Sequence, residues 1–159
     1  MIVPKWCLAV CAVGAAILWQ SAVAWSADAP AASVTVETEL SFDQLQTSLT
    51  QAVEANGMFV VSRACASCGA AKRDVTIPGN MVVGVYRNDF AVRMLAASVP
   101  AGIEAPIRFY LTENADGTAS LTYRLPSAVF APYGSAELDA MAAELDQIWQ
   151  AIVAQATTP

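Results

Sequence analysis

Histidine is missing altogether from this 159-residue chain. Its absence removes triads built on a histidine base, His-ligated haem, and most zinc and copper sites. Charge is also scarce: 14% of residues are Asp, Glu, Lys or Arg, against about a quarter in soluble domains. Basic residues number 8 against 14 acidic ones, a net charge of −6. Such a chain lacks the basic footprint that a nucleic-acid partner requires. What the sequence holds in excess is apolar residues, at 56% with a mean hydropathy of +0.46.

Much of that excess sits at the amino terminus. Residues 1–24 contain one charged side chain, Lys5, and setting it aside moves the net charge to −7. Lys5 and the α-amino group precede an uncharged run from Cys7 to Trp19, which leads to Ala22-Val23-Ala24. A short apolar run ending in a small-x-small site has the form of a secretory signal, whereas a bilayer span needs about 20 apolar residues. Cleavage is expected after Ala24 or Ala27, the competing reading being an uncleaved anchor. Val10 stands where a lipidated cysteine at Cys11 would need a small residue, so Cys7 and Cys11 are expected to leave with the signal. The mature protein is thus read as periplasmic or secreted, with no membrane span after cleavage.

Residues 25–33 read as a linker, 34–155 as one domain and 156–159 as a tail. Val34 to Thr38 alternates like a strand. Ser41 and Gln44 form a capping box, with Leu40 placed to staple against Leu45, and Phe42, Leu45, Leu49, Ala52 and Val53 share one helical face up to Asn56-Gly57. The continuous apolar runs Met58–Val61 and Met81–Tyr86 suggest strands central in a sheet or covered on both sides. Asn88 is expected to cap a short helix that ends before Pro100. Ile107, Phe109 and Leu111 alternate with polar residues, as do Ala119, Leu121 and Tyr123, and Asn114 to Gly117 between them marks a hairpin. A last helix starting near Ser135 carries a stripe of Leu138, Met141, Ala142, Leu145, Ile148, Trp149 and Ile152. The order β-α-β-β-α-β-β-α predicts an α+β fold: a largely antiparallel sheet of four to five strands with helices on one face.

The stretch from Ser41 to Val153 resembles the bacterial and archaeal family known as domain of unknown function 302. The residues that carry this are Gly57 to Val61, Val82 to Asn88, Ala105-Pro106 through Leu111, Asp116-Gly117 and Leu121-Thr122-Tyr123. Where the family commonly has Gly-Asn-Pro after its central strand, this chain has Arg87-Asn88-Asp89, so Asn88 alone matches. The resemblance implies a small α+β domain compatible with homodimerisation, and it brings no activity, cofactor or catalytic residue with it.

Two places could hold chemistry. Cys65-Ala66-Ser67-Cys68 follows a predicted strand, the arrangement in which a helix start can lower a thiol pKa, and Arg63, Lys72 and Arg73 lie close in sequence. Gly69 stands where a haem-attachment motif needs its histidine. Two thiols cannot close a zinc site, which leaves thiol–disulfide exchange, soft copper or mercury binding, or a bridge without turnover. The second place is the hairpin's outer face. A three-residue loop with Gly117 left-handed sets Arg108 opposite Arg124, both on the face away from Phe109 and Tyr123. Like charges so opposed are unfavourable by some tenths of a kcal/mol. Either Glu104 and Glu113 offset them, or an anionic group binds among Arg108, Arg124 and Tyr110. The inward Tyr123 hydroxyl needs a buried partner, and Trp149 is read as core or dimer interface. The first reading is an exported binding or accessory module with an unknown small-molecule or protein partner and no cofactor. The alternative is redox or soft-metal chemistry at Cys65 and Cys68.

Overall fold

The computed structural model describes residues 33–158, so the expected signal, most of the linker and the final residue lie outside the described part. The chain runs β1 (Ser33–Glu37), α1 (Phe42–Ala55), β2 (Phe59–Cys65), α2 (Ala66–Ala71), β3 (Asn80–Tyr86) and α3 (Asn88–Ala97), followed by a 3-10 segment over Val99–Glu104. Then come β4 (Ile107–Glu113), β5 (Ala119–Arg124), α4 (Pro126–Phe130), a second 3-10 turn at Ala131–Tyr133, and α5 (Ala136–Ala156). All four pairings are antiparallel, in the order β1-β5-β4-β3-β2. The fold is α+β, as expected from the periodicities.

Side chains alternate across this sheet, so one face is apolar and must be covered. Met81, Val83, Val85, Ile107, Phe109, Leu111, Leu121 and Tyr123 form the buried face. The helices pack against it, with α1 lying on α5 and α5 also touching α3 and α4. Phe109 at the centre of β4 stacks on Trp149 of α5, with ring centroids 5.3 Å apart. The start of α1 is held by the expected capping box: the Gln44 N–H donates to Ser41 Oγ, and the Ser41 N–H donates to Gln44 Oε1 at 2.9 Å. Leu138, Met141, Ala142, Leu145, Trp149 and Ile152 are buried along α5, with Ile148 half-buried.

Three local expectations are corrected. The run beginning at Met58 is not central: β2 is an edge strand, and Phe59 and Val61 are 60% and 52% exposed. The apolar run hides this because hydrophobicity cannot tell a covered strand from an edge that has lost register; β2 breaks register against β3 between Val60 and Ser62. The small-residue stretch from Ala64 to Gly79 reads by composition as one long loop, but β2 continues to Cys65 and α2 follows it directly. Asn88 does not cap α3. Arg87 holds the cap position without a side-chain bond, and Asn88 is the first helical residue, its Oδ1 accepting the Tyr86 hydroxyl at 3.3 Å.

Gly84 and Pro106 are explained by one contact. Both lie on the uncovered face of the sheet, and a Cβ on Gly84 would come within 2.8 Å of Pro106 Cγ and collide with Ser62 Oγ. The Ala105–Pro106 peptide is cis. Gly117 adopts φ +85° in the β4–β5 loop, and the Asn114 N–H donates to the Thr118 carbonyl at 2.8 Å, which closes the expected three-residue loop. Tyr123 turns inward beside Phe109, at 5.8 Å between centroids, but its hydroxyl is not among the buried unpartnered groups: it makes no hydrogen bond to another described residue and keeps contact with solvent. The buried partner expected for it is therefore not needed, because the ring is buried while its polar tip is not.

Candidate functional site

The cysteine pair forms a disulfide with Cα atoms 5.3 Å apart. Cys65 ends β2 and caps α2 in an extended conformation, its Sγ accepting the Cys68 N–H at 3.0 Å. Cys65 is half-buried and Cys68 exposed. Arg63, two residues before Cys65, is turned toward α1, where its guanidinium donates to Thr50 Oγ1 at 3.1 Å. Proximity in sequence thus overstated its service to the thiols. Arg73 lines a shallow groove with Ala66, Gly69 and Ala70 beside the pair, and Lys72 ends α2.

A short polar chain links this corner to the outer sheet face. Ser67 Oγ lies 3.5 Å from Cys65 Sγ and accepts the Asn80 N–H at 3.2 Å. The Asn80 side-chain amide in turn donates to Tyr110 Oη at 2.5 Å. Neither Ser67 nor Asn80 stood out in the sequence, because Ser67 meets Asn80 only where α2 folds back on β3, and Asn80 meets Tyr110 only through the register of β3 against β4.

The antiparallel register of β4 and β5 pairs Phe109 with Tyr123 on the covered face. One further step sets Arg108 beside Arg124, and both arginines line one small cavity at the rim of the sheet together with Glu104, Ile107 and Val129. Tyr110 is not part of that lining; it is committed to Asn80. Nor do the two glutamates pair with the arginines. Glu113 Oε2 accepts the Gly79 N–H at 2.6 Å, and Glu104 Oε1 accepts the Tyr133 hydroxyl at 3.0 Å. Burial, and then the hydrogen bond to and charge of Glu104, push the Tyr133 phenol above its usual value, so it stays a donor. Among the described residues the ion pairs are Arg87–Asp89 and Arg93–Glu144, both at 2.7 Å. Arg108 and Arg124 are in neither.

Among the described residues no three His, Cys, Asp or Glu side chains gather as a metal site, and no helix is long and apolar enough to cross a membrane.

Comparison with known proteins gives a family of unknown function. No curated protein matches the chain. The crystal structure of an uncharacterised conserved DUF302 protein from Bacillus stearothermophilus superposes with a TM-score of 0.69 at 14% identity, over 78% of this chain and 97% of that one. At that identity the likeness speaks for the fold alone. The family profile described as domain of unknown function DUF302 matches residues 34–156, which takes in both candidate places and every strand but for Ser33 at the start of β1, and on that match the chain belongs to the DUF302 family.

Proposed function

We propose that this DUF302 domain is an exported binding or accessory module that takes a small anionic group at the rim of its uncovered sheet face, between Arg108 and Arg124. The observation carrying this reading is that two guanidinium side chains line one cavity, with no carboxylate in ion-pair contact among the described residues. Guanidinium forks suit carboxylate, phosphate or sulfate, and an anion there would turn a repulsive pair into a favourable one. Glu104 lines the same cavity, so the reading favours a monoanion or a small oxyanion over a polyanionic chain. Export rests on the amino-terminal segment. Self-association into a homodimer belongs to the same reading and is measured by sedimentation of the mature chain. The test is a thermal-shift series with phosphate, sulfate and small carboxylates, followed by native mass spectrometry. The wild type should be stabilised by at least one of them, and Arg108→Gln/Arg124→Gln should lose the effect. An unchanged response in the double variant would count against the reading.

A second reading has its own support: the disulfide stands at a strand-to-helix junction with Cys68 exposed and Cys65 accepting a backbone N–H. It makes the pair a thiol–disulfide couple or, when reduced, a soft-metal site. An accessible low-pKa thiol with an oxidising potential supports this, whereas a strongly reducing, inert bridge opposes it.

A further inference from the structure

The two sulfurs of the Cys65–Cys68 bridge stand in unlike surroundings. Cys65 is half-buried at the end of β2 and packs against the hydrophobic core, whereas Cys68 lies exposed on α2, a helix with no buried side chain. Cys65 Sγ accepts the Cys68 N–H at 3.0 Å and meets Ser67 Oγ at 3.5 Å. A disulfide sulfur carries no proton, so in the second contact the Ser67 hydroxyl is the donor. Its oxygen in turn accepts the Asn80 N–H at 3.2 Å, which ties Ser67 to the first residue of β3. Both of these bonds fall on one sulfur, and among the described residues no group donates to Cys68 Sγ.

Thiol–disulfide exchange is a displacement at one sulfur, governed by access to that sulfur and by how readily the other leaves as thiolate. Burial restricts approach to Cys65 Sγ, while Cys68 Sγ is reached from solvent. When Cys65 leaves, its sulfur takes up the negative charge. The two donors already in contact then stand in for the water that burial excludes, and their bonds strengthen once the acceptor is ionised. We propose that the bridge opens with a single polarity: a thiolate attacks Cys68 Sγ, the Sγ–Sγ bond breaks, and Cys65 leaves as a thiolate held by the Cys68 N–H and the Ser67 hydroxyl. The incoming sulfur ends in a mixed disulfide on Cys68. A second thiolate attacking that incoming sulfur frees Cys68, so the bridge is reduced to two thiols while two molecules of the partner thiol are oxidised to their disulfide. In the closing direction the Cys65 thiolate displaces the partner from Cys68. This polarity rests on the thiol–disulfide reading of the pair and adds to it the partner's class, a thiol, the sulfur it attacks and the part of Ser67.

The test mixes the oxidised mature chain with excess glutathione, quenches in acid at the earliest times and alkylates the free thiols. Both cysteines lie in the tryptic peptide Ala64–Lys72, so fragmentation of that peptide locates each group. Glutathione should be found on Cys68 and the alkyl group on Cys65. A short cysteine peptide blocked at both ends replaces glutathione in a second series; the faster of the two per thiolate tells a small thiol from a chain-borne one, and Cys68 should carry the adduct with either. Ser67→Ala should open about five-fold more slowly, a fraction of what a hydrogen bond to a charged group is worth, and Ser67→Thr should restore the rate. Loosening of α2 alone would speed opening, so the slowing reads the donated bond and not a structural role. A bridge that resists both thiols overturns the exchange reading and this polarity with it. A bridge that opens with the adduct on Cys65, or opens as fast or faster in Ser67→Ala, overturns the polarity alone.

Discussion

Reducing the Cys65–Cys68 bridge should loosen one corner of the molecule more than it lowers global stability. Closing four residues removes about 2 kcal/mol of chain entropy from the unfolded state. The folded side offsets much of this. The bridge bounds α2, a six-residue helix with no buried side chain, and an isolated helix of that length does not persist in water. Its visible ties are the Cys68 N–H on Cys65 Sγ and the Asn80 N–H on Ser67 Oγ. Once the bridge opens, α2 can fray without exposing core, and the native state regains part of the freedom the unfolded state regains. The net loss should then be about 1 kcal/mol or less, a urea midpoint shift of roughly 0.5 M for a slope near 2 kcal/mol/M. Urea unfolding of the oxidised, reduced and Cys65→Ser/Cys68→Ser forms reads the global term. Hydrogen exchange over residues 66–71 reads the local one, and those amides should exchange markedly faster after reduction. A global loss of 2 kcal/mol or more, with α2 still protected, would refute the reasoning.

Other outcomes follow from single contacts. Gly84→Ala should destabilise by about 1–2 kcal/mol: overpacking against the rigid Pro106 ring costs about 1–3 kcal/mol and the entropy gain returns under 1, and a urea midpoint at or above the wild type would contradict the contact. Ser62→Ala in that background should recover part of the loss, because the new Cβ also meets Ser62 Oγ. The hydrogen bond from Arg93 holds the Glu144 carboxyl below its usual range, and that from Arg87 does the same for Asp89. Carboxyls depressed in the folded state lend stability above their unfolded values near 4 and surrender it as pH falls through the lower folded ones. Between pH 5 and 2.5 the wild type should therefore lose more urea resistance than Arg93→Gln, although only slightly, since the pair is exposed; parallel curves would remove this role.

Local chemistry was legible wherever neighbours in sequence decide it. The Ser41–Gln44 box, the Gly117 loop, the stripe of α5 and the alternation of β4 and β5 are short-range patterns, and each appears in the structure. The hairpin count even set Arg108 beside Arg124, because a loop of known length determines register. What lay beyond reach was anything set by a partner distant in the chain. Arg63 near the cysteines looked like a thiolate's neighbour until α1 offered Thr50. Glu104 and Glu113 looked like partners for arginines until Tyr133 and the Gly79 N–H claimed them.

The division has a physical cause. Capping, turn conformation and amphipathic period are properties of a few consecutive residues, so the α+β class and most element positions were determined by sequence alone. Edge or centre, cavity or filled core, paired or orphaned donor are properties of the packing. Only the tertiary structure decided that Phe59 and Val61 lie on an edge, that Ser67, Asn80 and Tyr110 meet, and that the Trp149 N–H faces no acceptor of its own chain, because each depends on which distant segment the sheet order brings alongside.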